Sequence, residues 1–333
     1  MRLRLATFNL ENFGAPKHTA PLDARIAALR PMLLRLDADV LCLQEIDPQP
    51  PEGAGAKAHP RSFRALDALL EGTPYERFHR AATKNRDGTD YADIHNIVVL
   101  SRWPIDDVRQ LWHDLVPAPM WRATTARPTA SEAEALSWDR PALIVRTTLP
   151  NGCALHVAAV HLRAPLPAPV RGQKLDREHW RSIGGWAEGY VLSEMKRAGQ
   201  ALEVRLWLDQ VFAAEREPLV AVMGDFNAEE HHTPVEVILG RDDSIGTRAG
   251  SVASGILVPA ERAVAAERRH TIIHAGRRQT LDHVLVSPAL MAAQSGAEVL
   301  NDSLMDEAEI GEENPPAQSL HAPIVAEFAL PDR

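Results

Sequence analysis

The segment ALIVRTTLPNGCALHVAAVHL, residues 142–162, decides the fold. Two apolar runs flank Pro150-Asn151-Gly152, and Asn-Gly between apolar runs is hairpin-turn chemistry, so the segment predicts two antiparallel strands. A helix-rich stretch over roughly 173–215 follows, and then another buried-strand pattern, PLVAVMGDFN at 218–227. Strands joined partly by hairpins and partly by helices predict a mixed-sheet α/β sandwich, not a purely parallel doubly wound sheet. Working outward, residues 2–9 alternate as a strand and 22–36 show helical spacing, with Pro31 expected to interrupt it. DVLCLQE and NIVVLS read as strands, RSFRALDALLEG as a short helix closed by Gly72, and LDHVLVSP and HAPIVAEF as late strands. No repeat or long linker divides the chain, which predicts one domain with a helix-rich insertion near 164–215.

With 333 residues, 45% of them hydrophobic, the chain can bury a large core. The start MRLRLATFNLENFGAP lacks the long apolar region of a signal peptide, and no run approaches the length of a membrane span. A cytoplasmic location is therefore expected, with Cys42 and Cys153 as buried thiols. A net charge of −9 argues against a coat protein that binds nucleic acid by neutralising phosphates, though not against an enzyme that engages phosphate locally.

The informative pattern is where the apolar strands stop. RLATFN ends at Asn9, VLCLQE at Glu45, LHVAAVH at His161, and VAVMGD at Asp225 with Asn227 two residues on. Two later strands reverse the order: Asp282 opens HVLVS and His321 opens APIVAEF. If these two run antiparallel to the rest, all these groups meet at one rim. Singly, each has an ordinary role as a turn former, helix cap or satisfied core histidine; together they do not. Carboxylate oxygens from Glu45 and its neighbours suit a hard cation such as Mg²⁺ or Mn²⁺, whereas zinc lacks paired-His or Cys spacing here. A cation beside two amides and two imidazoles would bind a phosphate ester and hold a water in line with the leaving oxygen.

At these residues the chain resembles the endonuclease/exonuclease/phosphatase superfamily, which includes deoxyribonuclease I. The match runs in the family's order through ATFNLENFG, LCLQEI, NIVVLSRWPI, DRPALIV, VHL, MGDFNA, TLDHVLVS and SLHAPIVAEF. The resemblance implies a four-layer α/β sandwich, two packed mixed β-sheets flanked by helices, with a cleft at one end. It implies Glu45 as principal metal ligand with Glu11 on the same ion, Asn9 beside them on the substrate side, and Asp225 and Asn227 orienting water and phosphate. It also implies that Asp282 orients His321, that His161 donates to a phosphate oxygen, and that Arg140 clamps the phosphate. Either Asp225 or the Asp282–His321 pair takes the proton from water, the pair being preferred.

One position departs from the family pattern: Leu320 stands where an aspartate normally precedes the last histidine. Metal binding then rests on Glu45 and Glu11, or on an acid from LMDEAEIGEEN, or the chain is a catalytically silent phosphate-binding module. The segment 163–205 interleaves Arg163, Arg171, Lys174, Arg177, Arg181, Lys196, Arg197 and Arg205 with Trp180, Trp186 and Tyr190. These either stack bases and contact phosphates, or form an amphipathic helix with buried aromatics and a charged outer face. The loop 112–140, with Trp112, Trp121 and Trp138, is placed to line or cover the cleft. The expected activity is a metal-dependent, endonuclease-like phosphodiesterase on a phosphate-ester substrate such as nucleic acid. The alternative substrate is a small phosphorylated metabolite or lipid headgroup.

Overall fold

The computed structural model describes residues 1–17, 19–176, 178–240, 255–311 and 315–332; Arg177 and the acids at 312–313 lie outside them. Two six-stranded sheets dominate, with strands numbered along the chain. The first has the spatial order β15 (Gln294–Val299), β16 (Ile324–Ala329), β1 (Arg2–Phe13), β2 (Val40–Ile46), β4 (Asn96–Ser101), β3 (His79–Ala82). The second runs β11 (Val258–Pro259), β14 (Asp282–Val286), β10 (Leu219–Asp225), β9 (Ala154–His161), β8 (Ala142–Thr148), β5 (Ile105–Leu111). Two short ribbons stand apart, β6 (Met120–Trp121) with β7 (Glu134–Ala135) and β12 (Ile272–His274) with β13 (Arg277–Gln279).

Both main sheets are mixed. β8 and β9 form the expected hairpin, and β9 then pairs in parallel with β10 across a helical crossover. In the first sheet β1 and β2 are parallel, joined by α1 (Leu22–Leu36), while β16 and β4 run antiparallel to them. The inner faces, including Leu3, Leu5, Val40 and Cys42 from one sheet and Val145, Val157, Met223 and Val284 from the other, share one core. α1 and α2 (Arg64–Leu70) cover the outer face of the first sheet. α3 (Ile183–Ala214) and α4 (Thr233–Leu239) cover that of the second, and α5 (Pro288–Ala292) follows β14. The four-layer sandwich follows from strands that are apolar on both faces: neither sheet can leave a side to water.

Two local expectations fail. Pro31 does not interrupt α1, which runs unbroken past it. Pro31 is exposed, so the carbonyl that its missing N–H leaves unpaired can turn to water. The helix-rich stretch contracts to one helix of 32 residues starting at Ile183, where the Ser182 side chain caps the N-terminus by accepting the Gly185 N–H. Among the described residues, no helix is long and apolar enough to cross a membrane.

Candidate active site

The two-residue period of the inner faces delivers the polar groups. On β1, Leu3 and Leu5 lie in the shared core and Asn9 follows in phase; on β9, Leu155, Val157 and Ala159 lead to His161. On β10, Ala221 and Met223 lead to Asp225, and antiparallel β14 brings Asp282 directly opposite it. All four are at most 3% exposed. β9 and β10 approach so closely here that a Cβ on Gly224 would lie 1.8 Å from the Val160 carbonyl oxygen, which is why GDFN begins with glycine.

Glu45 arrives differently. Leu41 and Leu43 face the helices, so strict alternation would send residue 45 the same way. Instead the pairing of β2 with both neighbours shifts register here, and Glu45 adopts φ +58. The bulge re-aims its carboxylate into the cleft. Of nine non-glycine residues with positive φ among those described, Glu11, Asn12, Glu45, His95 and Asn227 cluster at this end of the sandwich. Each costs on the order of 1–3 kcal/mol, least for asparagine, and such strain concentrates where side chains must be aimed.

Asn9 is the keystone of the hydrogen bonding. Its Nδ2 donates to Glu45 Oε1 at 3.2 Å and to Asp225 Oδ2 at 3.0 Å, tying a carboxylate of each sheet to one amide. Asn12 N–H donates to Glu45 Oε2 at 3.0 Å. Asn227 donates its backbone N–H to Asp225 Oδ1 at 2.7 Å and its Nδ2 to Asp225 Oδ2 at 3.1 Å. Burial, with the Asp282 charge opposite, pushes Asp225 up to about 7. His321 Nδ1 donates to Asp282 Oδ2 at 2.8 Å. Burial opposes a charge on His321, yet the Asp282 carboxylate, with help from Asp225 and Glu45, holds it well above the usual imidazole range. Asp282 Oδ1 is buried and has no partner.

His161 is the opposite case. Burial first, then the charges of Arg140, His95 and His321, push it well below the usual range. Arg140 Nη1 lies 2.7 Å from His161 Nε2, and Glu45 and Asp225 oxygens stand 3.6 and 3.5 Å from the same nitrogen. Arg140 is thus inside the site. His95, absent from the set expected from sequence, stacks on His161 with ring centroids 6.1 Å apart. Its signal was present, since it directly precedes β4 and β4 runs antiparallel to β2, but that direction comes from pairing alone.

Around Leu320 the arrangement differs from expectation. Glu11, expected on the metal beside Glu45, accepts the Leu320 N–H through Oε2 at 3.0 Å. The side chains that group with Glu45 are His95 and His161, all with ligand atoms within 4.8 Å of one another; Asp225, Asp282 and His321 form a second such group. The described acids of the 304–314 run point elsewhere: Asp306 caps the turn at Ala275 and Gly276, and Glu307 pairs with His274. The 163–205 segment meets the amphipathic expectation only in part: Leu192, Ala201 and Val204 are buried. Trp186 and Tyr190 are exposed and stack on each other, while Arg197 is buried. Helix α3 covers a sheet and a polar loop together, so its inward face must carry charge. Loop 112–140 is pinned to it, Trp121 Nε1 donating to Glu188 and Trp138 Nε1 to Glu203. Trp112, His95, Arg140 and Arg163 line a cavity of about 260 Å³ beside the site.

A strand-end ring of carboxylates, amides and imidazoles on a two-sheet sandwich is machinery for phosphoester chemistry. The family model for the Endonuclease/Exonuclease/phosphatase family matches residues 6–303, and the chain belongs to that family, whose members are phosphoester hydrolases that depend on divalent metals. Similar solved structures include truncated TDP2 of Caenorhabditis elegans (12% identity, TM-score 0.54, covering 98% of this chain and 97% of that one). An endonuclease/exonuclease/phosphatase from Beutenbergia cavernae is 18% identical with TM-score 0.55, covering 99% and 72%. A variant of the 3' phosphatase NExo from Neisseria, bound to product DNA hairpin, is 17% identical with TM-score 0.51, covering 98% and 100%. At such identities the likeness concerns the fold. No curated protein matches the chain.

Proposed function

We propose that this protein is a divalent-metal-dependent phosphodiesterase, endonuclease-like in its chemistry, acting by in-line attack of water. The observation that carries the reading is the Asn9 amide bridging Glu45 and Asp225, which sets a cation-binding group and a water-orienting group side by side. Glu45 would hold the cation with His95 in reach. The orphaned, buried Asp282 Oδ1 supports a site built for further polar company. Mg²⁺ or Mn²⁺ fits the carboxylate donor Glu45. When bound, the cation polarises the phosphoryl oxygens and offsets the charge of the transition state.

This chain's own residues do the rest. Asp225 and Asn227 orient the water, and Arg140 with His161 receives a non-bridging oxygen. Asp282 fixes the tautomer of His321, leaving Nε2 to take the proton of the attacking water. Because Asp282 holds a proton on His321, the base form grows as pH rises above neutrality, so turnover should climb on the alkaline side. The walled cavity at Trp112 and Arg163 favours a second reading, a phosphatase on a small phosphorylated molecule. We also read the chain as one domain, supported by the pairing of its first strand with its last.

A panel of generic phosphate mono- and diesters, plasmid DNA and RNA, each with Mg²⁺, Mn²⁺ and Ca²⁺, tests the proposal. Diester turnover abolished by chelation is expected. Turnover of monoesters alone transfers the reading to the phosphatase, and no turnover on any substrate sinks both.

A further inference from the structure

Helix α3 carries polar side chains on its buried face, and two of them reach the site. Arg197, 2% exposed, donates from Nη2 to the backbone oxygen of Asn227 at 2.6 Å. Gln200, 3% exposed and one turn further on, donates from Nε2 to the backbone oxygen of Arg140 at 2.9 Å. Residues three apart on a helix have side chains about 5–6 Å apart on one face, so a single turn of α3 grips both loops. Asn227 sits at φ +49 outside any strand, and Arg140 lies in the irregular segment before β8. Neither carbonyl belongs to a sheet ladder that would hold it in place.

The arginine is a poor choice for stability alone. Its nearest carboxylate, Glu194, is 3.7 Å away and partly exposed, and its Nε is buried without a partner. Burying a guanidinium so incompletely matched costs free energy that a packed apolar side chain would not. What it supplies is a fixed position for one carbonyl. The helix is itself anchored: a Cβ on Gly199, between the two residues, would lie 2.4 Å from the Trp138 ring, and Glu203 accepts the Trp138 indole N–H at 2.6 Å. The spacing is thus referenced to the loop that carries Arg140.

We propose that Arg197 and Gln200 are positioning residues that set the separation between Arg140 and the Asp225–Asn227 pair along the rim of the second sheet. The inference deepens the phosphoesterase reading and rests on it for its catalytic consequence. The full-length chain is compared with Arg197→Met, Arg197→Lys and Gln200→Leu. Readouts are kcat and KM on a generic aryl phosphodiester with Mn²⁺, the Kd for inorganic phosphate, and hydrogen exchange of segments 138–141 and 225–228. A displacement near 1 Å at reacting groups lowers rates by up to about 100-fold. Arg197→Met should therefore lower kcat by about 10- to 100-fold with KM within about twofold, and Arg197→Lys should recover part of the loss. Gln200→Leu should weaken phosphate binding severalfold with a smaller effect on kcat. Both apolar variants should exchange faster in the segment they release while melting cooperatively. Folded variants with unchanged exchange, or with faster exchange but wild-type kcat, KM and phosphate affinity, overturn the proposal. If the wild type turns over no ester while exchange and phosphate affinity shift as expected, the phosphoesterase reading falls and the positioning couple stands.

Discussion

Replacing Glu45 with glutamine is the sharpest test of the cation site. The carboxylate accepts from Asn9 Nδ2 and Asn12 N–H on its two oxygens. Glutamine can accept only one of these bonds and turns an NH₂ toward the other donor, costing about 1–3 kcal/mol without any cation present. The cation loses more. Two unit charges about 4 Å apart interact by roughly 4 kcal/mol at an effective dielectric constant of 20, hence roughly 8 kcal/mol for a dication. If the amide oxygen and water replace two thirds of that, the net loss is about 2.7 kcal/mol and the affinity falls about 100-fold. At an ion concentration about 100 times the wild-type Kd, binding stabilises the native state by about 2.7 kcal/mol; after the loss it gives about 0.4 kcal/mol. For a chain of this length the unfolding entropy is about 0.7 kcal/mol/K, so the metal-induced rise in Tm should shrink by about 3 °C. The assay is thermal unfolding with and without Mn²⁺ at fixed ionic strength, with calorimetric titration of the ion. The metal-dependent increment decides, not the absolute Tm. A Glu45→Gln protein that keeps the full increment and the wild-type Kd would refute the assignment of Glu45 to the cation.

Three further outcomes follow from the geometry. Asp282→Asn removes the largest of the charges that hold the His321 proton, leaving only Asp225 and Glu45 to oppose burial; NMR titration should show the His321 imidazole dropping below its wild-type pKa, and an unmoved pKa would exclude Asp282 as its orienter. Buried His283 donates Nδ1 to Glu261 at 2.6 Å and Nε2 to the Ala228 carbonyl at 2.8 Å, so it must be an imidazolium, its pKa raised by Glu261 against the pull of burial. Its contribution to stability is complete below the unfolded-state value near 6.5 and is lost as pH rises through the higher folded-state value. Glu261→Gln should cost about 3–5 kcal/mol in denaturant unfolding at pH 6 and less at pH 9.5, and equal penalties would contradict the charged pair. Leu320→Asp puts a carboxylate in a buried position whose N–H already holds Glu11; it should cost roughly 2–4 kcal/mol and leave metal affinity no better. A tighter Kd for Mn²⁺ would show instead that residue 320 faces the cation.

What the sequence by itself determined is local in origin. The apolar alternation of β1, β9, β10 and β14 puts Asn9, His161, Asp225 and Asp282 on inner faces whatever the partners, because side chains alternate with a period of two along a strand. The hairpin and the helical crossover around residues 142–227 likewise imply mixed sheets from turn chemistry and connection length. The tertiary structure alone decided the rest. Asn9 meets Asp225 across 216 residues, and Glu45 enters the cleft only because a bulge breaks the alternation that would have sent it outward. His95 joins through the direction of β4, and Glu11 turns to Leu320 through a contact spanning 309 residues. Helix α3 turns Arg197 inward and Trp186 outward because it packs on a polar loop as well as a sheet, and that choice of neighbour leaves no periodic trace in its own residues.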